Sequence, residues 1–120
     1  MSNSTTDGDN TVINLPQWKA LEDAYARISN TTLRELFAAD PERASRMTFD
    51  AAGLHVDLSK NLVDQGTIDK LIALAEACSL AEAREKMFEG VHINNTEDRA
   101  VLHTALRLPV DQELTVDGQD

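Results

Sequence analysis

The chain has 120 residues and a mass of 13.2 kDa, enough for one small domain with a modest core. Twenty-one acidic residues oppose eleven basic ones, for a formal charge of −10, which disfavours nucleic acid and anionic membrane surfaces as partners. One cysteine, Cys78, excludes an intramolecular disulfide, and no apolar run approaches the ~20 residues of a membrane span.

Residues 1–13 are mostly Ser, Thr, Asn and Asp and read as a flexible leader. They lack the apolar stretch of a signal peptide, which gives the expectation of a cytoplasmic protein. Pro16 suits the first turn of a helix, and Trp18, Leu21, Ala24, Tyr25 and Ile28 recur at helical spacing to about Ser29. Thr32-Leu33-Arg34-Glu35 has the form of a capping box that opens a short helix. Asp40-Pro41-Glu42 starts another, with Asp40 as cap, running to about Arg46.

The period then changes. Leu54, Val56 and Leu58 alternate with His55, Asp57 and Ser59, and Gly53 sits in a turn region, so a β-hairpin is predicted over about 47–59. Helical spacing returns from Asp64 to Cys78 through Ile68, Leu71, Ile72, Leu74 and Ala75, with Cys78 read as a small buried hydrophobe. Ser79-Leu80-Ala81-Glu82 is a second capping-box pattern, opening a helix to about Phe88 that Gly90 ends. A last helix is predicted over 96–107, capped by Asn95 or Thr96, followed by a strand and turn at LTVDGQD. The chain reads as mainly helical, with one short hairpin and a C-terminal strand.

On the predicted helix 96–107, Arg99, His103 and Arg107 step by four along one side. Guanidinium groups in such a stripe could grip a phosphate. No Gly-rich turn accompanies it, so a structural role is preferred. His55, His92 and His103 match no metal-ligand spacing, and no metal is expected. Ser59 and Lys60 suggest a Ser–Lys nucleophile, but neighbours on an extended strand point to opposite faces. The acidic pairs Glu22-Asp23 and Glu97-Asp98 sit on predicted helices, where adjacent side chains do not converge. From spacing alone, no catalytic, substrate-binding or metal residue emerges.

MFEGVHINNTEDRAVLHTALR (87–107) resembles the signature stretch of the glucose-6-phosphate isomerase family. LRELFAADPER (33–43), GLHVDLSKN (53–61) and LTVDGQD (114–120) resemble further family segments in the same order, with Leu58 where an aromatic is usual and Leu62 where an arginine is usual. The resemblance runs from about Trp18 to Asp120 and makes residues 14–120 an N-terminal segment, incomplete relative to the family. It implies an α/β parent of two α/β/α sandwich domains, usually a homodimer. That parent would interconvert glucose 6-phosphate and fructose 6-phosphate in glycolysis and gluconeogenesis, with no metal or organic cofactor. It also implies that the phosphate loop and the catalytic Glu, His, Lys and Arg lie beyond residue 120, so the chain is expected to be inactive alone. Arg99, His103 and Arg107 are then expected to anchor their helix into the remainder. The competing expectation is a non-catalytic helical module that binds a protein partner.

Overall fold

A computed structural model describes residues 11–119 of the chain. The expected leader, 1–13, falls largely outside the described residues, and a 3-10 turn at Val12–Asn14 takes in its last two residues. Two compact units follow one another, Met1–Ala77 and Cys78–Asp120.

In the first unit, helix α1 spans Pro16–Ile28 with Pro16 in its first turn, as its ring geometry favours. Its apolar face packs on α4, Gln65–Ala77. Helix α2, Leu33–Ala39, opens on the capping box: the Thr32 hydroxyl accepts from the Glu35 N–H, and a Glu35 carboxylate oxygen accepts from the Thr32 N–H at 2.8 Å. The helix expected from Asp40 is only one turn, α3, Arg43–Arg46. Asp40 does not cap it. Its carboxylate instead accepts from the Glu42 N–H at 3.0 Å, holding a turn that delays the helix by two residues.

Strands β1, Thr48–Ala51, and β2, Leu54–Asp57, form the predicted hairpin, antiparallel, with Ala51 opposite Leu54. The two turn residues, Ala52 and Gly53, both have positive φ, 52° and 77°, matching the strand twist of a primed turn. Gly53 takes that conformation freely, whereas Ala52 stores ~1 kcal/mol of strain. The core is small: among the described residues Ala24, Ile28 and Met47 are the buried hydrophobics, and Arg43, Ser59 and Thr67 are the buried polar residues.

In the second unit, α5 spans Leu80–Phe88. The expected capping box at Ser79 does not form, because Ser79 is left-handed (φ 52°) and its hydroxyl makes no cap bond; Glu82 pairs with Lys86 at 2.6 Å instead. Gly90 does end the helix. With φ 73° it closes a Schellman motif, in which the Val91 N–H donates to Lys86 O and the Gly90 N–H to Met87 O.

The helix predicted over 96–107 is absent. Strands β3, His92–Asn94, and β4, Arg99–Ala100, form a second antiparallel hairpin with a bulge, and only Ala105–Arg107 makes a 3-10 turn. The physical cause is local competition. Asn94 Oδ1 accepts from the N–H groups of Thr96 and Glu97, drawing both into a turn, and Asp98 adopts φ 50°. The expected C-terminal strand is likewise a turn, closed by one bridge between Val116 and Gln119.

Candidate functional site

The best-built polar centre of the first unit surrounds Arg43, which is 2% exposed. Its Nε donates to Ser59 O at 2.9 Å and its Nη2 to Asn61 O at 2.8 Å, while the guanidinium lies 5.6 Å from the centre of the Phe37 ring. One side chain thus fixes the turn leaving β2 to the α2–α3 region. A cavity of about 270 Å3 adjoins it, lined by Leu36, Asp40, Arg46, Met47, Asp64 and Gln65 among others.

Within that turn, Asp57 accepts from the Ser59 N–H at 2.8 Å and from Lys60 Nζ at 2.7 Å. The Lys60 and Ser59 hydrogen bonds hold the Asp57 carboxyl well below the usual carboxylate range. Ser59 is buried and Lys60 is exposed, so the two diverge and do not make a nucleophile pair. The nearby Asp64 caps α4 by accepting from the Thr67 N–H at 2.8 Å and pairs with Arg27 at 2.7 Å. The Arg27 hydrogen bond, opposed by partial burial, leads in keeping the Asp64 carboxyl far below its ordinary value.

A depressed carboxylate stabilises the fold above the ordinary carboxylate pKa of about 3.9, and the contribution is lost as pH falls through that value toward the lowered one. Asp64→Asn keeps an acceptor for the cap but removes the titration. Acid unfolding followed by Trp18 fluorescence is therefore expected to be shallower below about pH 4 in this variant. An unchanged acid limb would contradict the assignment.

Along α1 and α4 runs an apolar groove of about 790 Å3, lined by Trp18, Leu21, Tyr25, Leu62, Leu71 and Leu74 among others. Tyr25 is 71% exposed and Leu71 47%.

In the second unit, Arg99, His103 and Arg107 are all exposed and share no helix face, because the helix that would align them does not form. The stripe is a property of the sequence pattern only. None of the ion pairs among the described residues includes these three. His55 is exposed, as its place on β2 predicts, and its Nδ1 lies 2.8 Å from Asp50. Cys78, expected to be buried, is exposed; α4 ends at Ala77, one residue before it. Glu22 and Asp23 share Lys19, at 3.2 and 3.9 Å, and Glu97 and Asp98 lie in the β3–β4 turn, so neither pair forms an acid–base dyad.

His92, expected in a loop, sits on β3 between two carboxylates. Its Nε2 is 3.0 Å from Asp117 Oδ2 and its Nδ1 is 3.0 Å from Asp98 Oδ1. The hydrogen bond to Asp117, then that to Asp98, raises the imidazole above its ordinary value. Arg43 and His92 carry the site geometry that sequence reading missed. The two carbonyl partners of Arg43 and the Asp117 partner of His92 lie 16 to 25 residues away, so no local pattern announces them. Among the described residues no group of three or more His, Cys, Asp or Glu side chains is placed to hold a metal ion, and no helix is long and apolar enough to cross a membrane.

In the first unit Arg43 and Asp64 are structural anchors beside an open apolar groove, and in neither unit do the described residues bring acid, base and anion-binding groups together. Comparison with known proteins supplies the class. Residues 57–120 match the family described as phosphoglucose isomerase, and the chain belongs to that family. It is 60% identical over 103 residues to the glucose-6-phosphate isomerase of Corynebacterium diphtheriae, covering 86% of this chain and 19% of that protein. The corresponding isomerases of Corynebacterium efficiens and Mycolicibacterium smegmatis are 57% and 52% identical over 111 and 105 residues, covering 92% and 88% of this chain. The chain spans about a fifth of the length of these curated relatives.

Proposed function

We propose that the complete polypeptide interconverts glucose 6-phosphate and fructose 6-phosphate, and that this chain supplies framework to it while the reacting groups come from elsewhere. The observation that carries the reading is the family match over residues 57–120, joined to identity of up to 60% with enzymes named for this isomerisation. The reaction needs an acid–base group at the ring oxygen, a carboxylate to move the proton between C2 and C1, and a clamp for the phosphate. The divergence of Ser59 from Lys60, and the lack of a shared face for Arg99, His103 and Arg107, support placing those groups outside the chain.

The complete enzyme is then a cytoplasmic homodimer of α/β/α sandwich domains, working on a sugar phosphate without a cofactor. The groove along α1 and α4, together with exposed Leu106 and Val110, supports docking against the other four-fifths of that polypeptide. A free-standing helical interaction module is not favoured, because the identity extends along nearly the whole chain.

A coupled assay with fructose 6-phosphate tests the reading. The full-length product is expected to turn over, and the purified 120-residue chain is expected to give no rate above the uncatalysed background. Turnover by the short chain, or none by the full-length product, would refute it.

A further inference from the structure

We propose that His92 is a pH-sensitive pin: as imidazolium it fastens the Val116–Gln119 turn to the β3–β4 hairpin, and loss of its proton frees one of the two attachments. Neither the family match nor the isomerase reading assigns this residue a role.

The number of N–H donors on the ring decides the protonation state. Both ring nitrogens lie 3.0 Å from carboxylate oxygens, Nδ1 from Asp98 and Nε2 from Asp117. An ionised carboxylate only accepts hydrogen bonds, and a neutral imidazole has one N–H. Two simultaneous contacts therefore require a proton on each nitrogen. A proton on a carboxyl group would serve equally, but the ring has the higher ordinary pKa, so the ring holds it. Without that proton, one nitrogen lone pair faces an anion and the contact becomes repulsive.

The surrounding charges do not replace this cation. On α5, Lys86 is already taken by Glu82 at 2.6 Å, and these two line a cavity of about 360 Å3 with Cys78 and His92. In the hairpin, Glu97 accepts from Asn94, and Arg99 is exposed. The pin matters because this unit has little else to hold it, Gly90 being its only buried residue among those described. Both carboxylates sit on left-handed backbone, Asp98 at φ 50° and Asp117 at φ 53°, a conformation that aspartate adopts more readily than most side chains. Because the folded imidazole is raised, the attachment is complete below the ordinary imidazole value and is lost as pH rises through the raised one.

Ring 15N shifts of His92, followed against pH in the 120-residue chain and in the same chain unfolded in urea, test this. The folded midpoint is expected above the urea midpoint. Asp117→Asn and Asp98→Asn are each expected to lower it, and both should fold, since asparagine accepts left-handed backbone readily. In the neutral ring the single N–H is shared between the two nitrogens, so the Asp117 contact is made only part of the time and without its charge. Exchange of the Val116 and Gln119 amides, which bond across the turn, is therefore expected to quicken beyond the intrinsic base-catalysed rise as pH passes the midpoint. His92→Gln should exchange fast at every pH, and His92→Lys should stay slow throughout. A folded midpoint at or below the urea value, a midpoint unmoved by Asp117→Asn, or exchange following only the intrinsic slope would overturn the proposal.

Discussion

Arg43→Ala is expected to lower the stability of the first unit by about 3 kcal/mol, a large fraction of what a unit of this size holds. The wild-type guanidinium is buried and satisfies two carbonyls, Ser59 O at 2.9 Å and Asn61 O at 2.8 Å. Each hydrogen bond from a charged donor contributes about 1.5–3 kcal/mol, and its loss strands the buried acceptor. The stacking on Phe37 adds roughly 0.5 kcal/mol, since that ring is partly exposed. The adjoining cavity of about 270 Å3 admits water to the vacated space, which relieves part of the penalty and keeps the total below the simple sum. Arg43→Lys keeps the charge but lacks the planar fork that reaches both carbonyls, so it should recover only part of the loss. Urea unfolding read by Trp18 measures both variants. A change under about 1 kcal/mol for the alanine variant would mean that the β2 turn is held by something else.

Gly90→Ala is expected to destabilise residues 78–119 by about 2 kcal/mol, through two effects that a second substitution separates. Gly90 has φ 73°, where a Cβ costs about 1 kcal/mol. That Cβ would also collide with Val116 Cγ2, part of a stiff β-branched side chain. Relief requires the Val116 turn to move away from the end of α5. Val116→Ala removes the colliding methyl and leaves only an ordinary contact at 3.5 Å with its Cβ. In the double variant the steric part should disappear and the backbone part, about 1 kcal/mol, should remain. Amide protection at Val91, whose N–H closes the Schellman motif, reports the result. Strict additivity of the two substitutions would show that Gly90 and Val116 are not packed together.

Features written in contiguous residues were legible in the sequence. Thr32 and Glu35 cap each other three residues apart, Ala52-Gly53 turns a hairpin between alternating strands, and Gly90 stops a helix by its own freedom of φ. Such features depend on backbone geometry and one or two neighbours, which the order of residues specifies directly. The 87–107 block, with the segments 33–43, 53–61 and 114–120 in the same order, likewise pointed to the family that the match over residues 57–120 shows.

The segment 96–107 shows where this kind of inference fails. Val101, Leu102, Ala105 and Leu106 have helical spacing, yet Leu102 and Leu106 remain exposed, at 41% and 89%. An amphipathic pattern stabilises a helix when its apolar face is packed, and here the Asn94 side chain captures the amides of Thr96 and Glu97 instead. Cys78 was misplaced for a related reason: its apolar neighbours lie on α4, while the cysteine falls just past the helix end.

Composition, family membership, the Thr32 cap, the hairpin turn at Gly53 and the Gly90 stop were therefore decided by the sequence alone, because each is local or additive along the chain. The cap patterns at Asp40 and Ser79, by contrast, were overridden by their own turn geometry. Which residues hold distant segments together was settled only by the tertiary structure. Arg43 reaches carbonyls 16 and 18 residues on, and His92 meets a carboxylate 25 residues on. Those pairings exist because folding brings remote donors and acceptors within about 3 Å, and around Arg43 it also withdraws water as the competing partner, a fact that no spacing rule encodes.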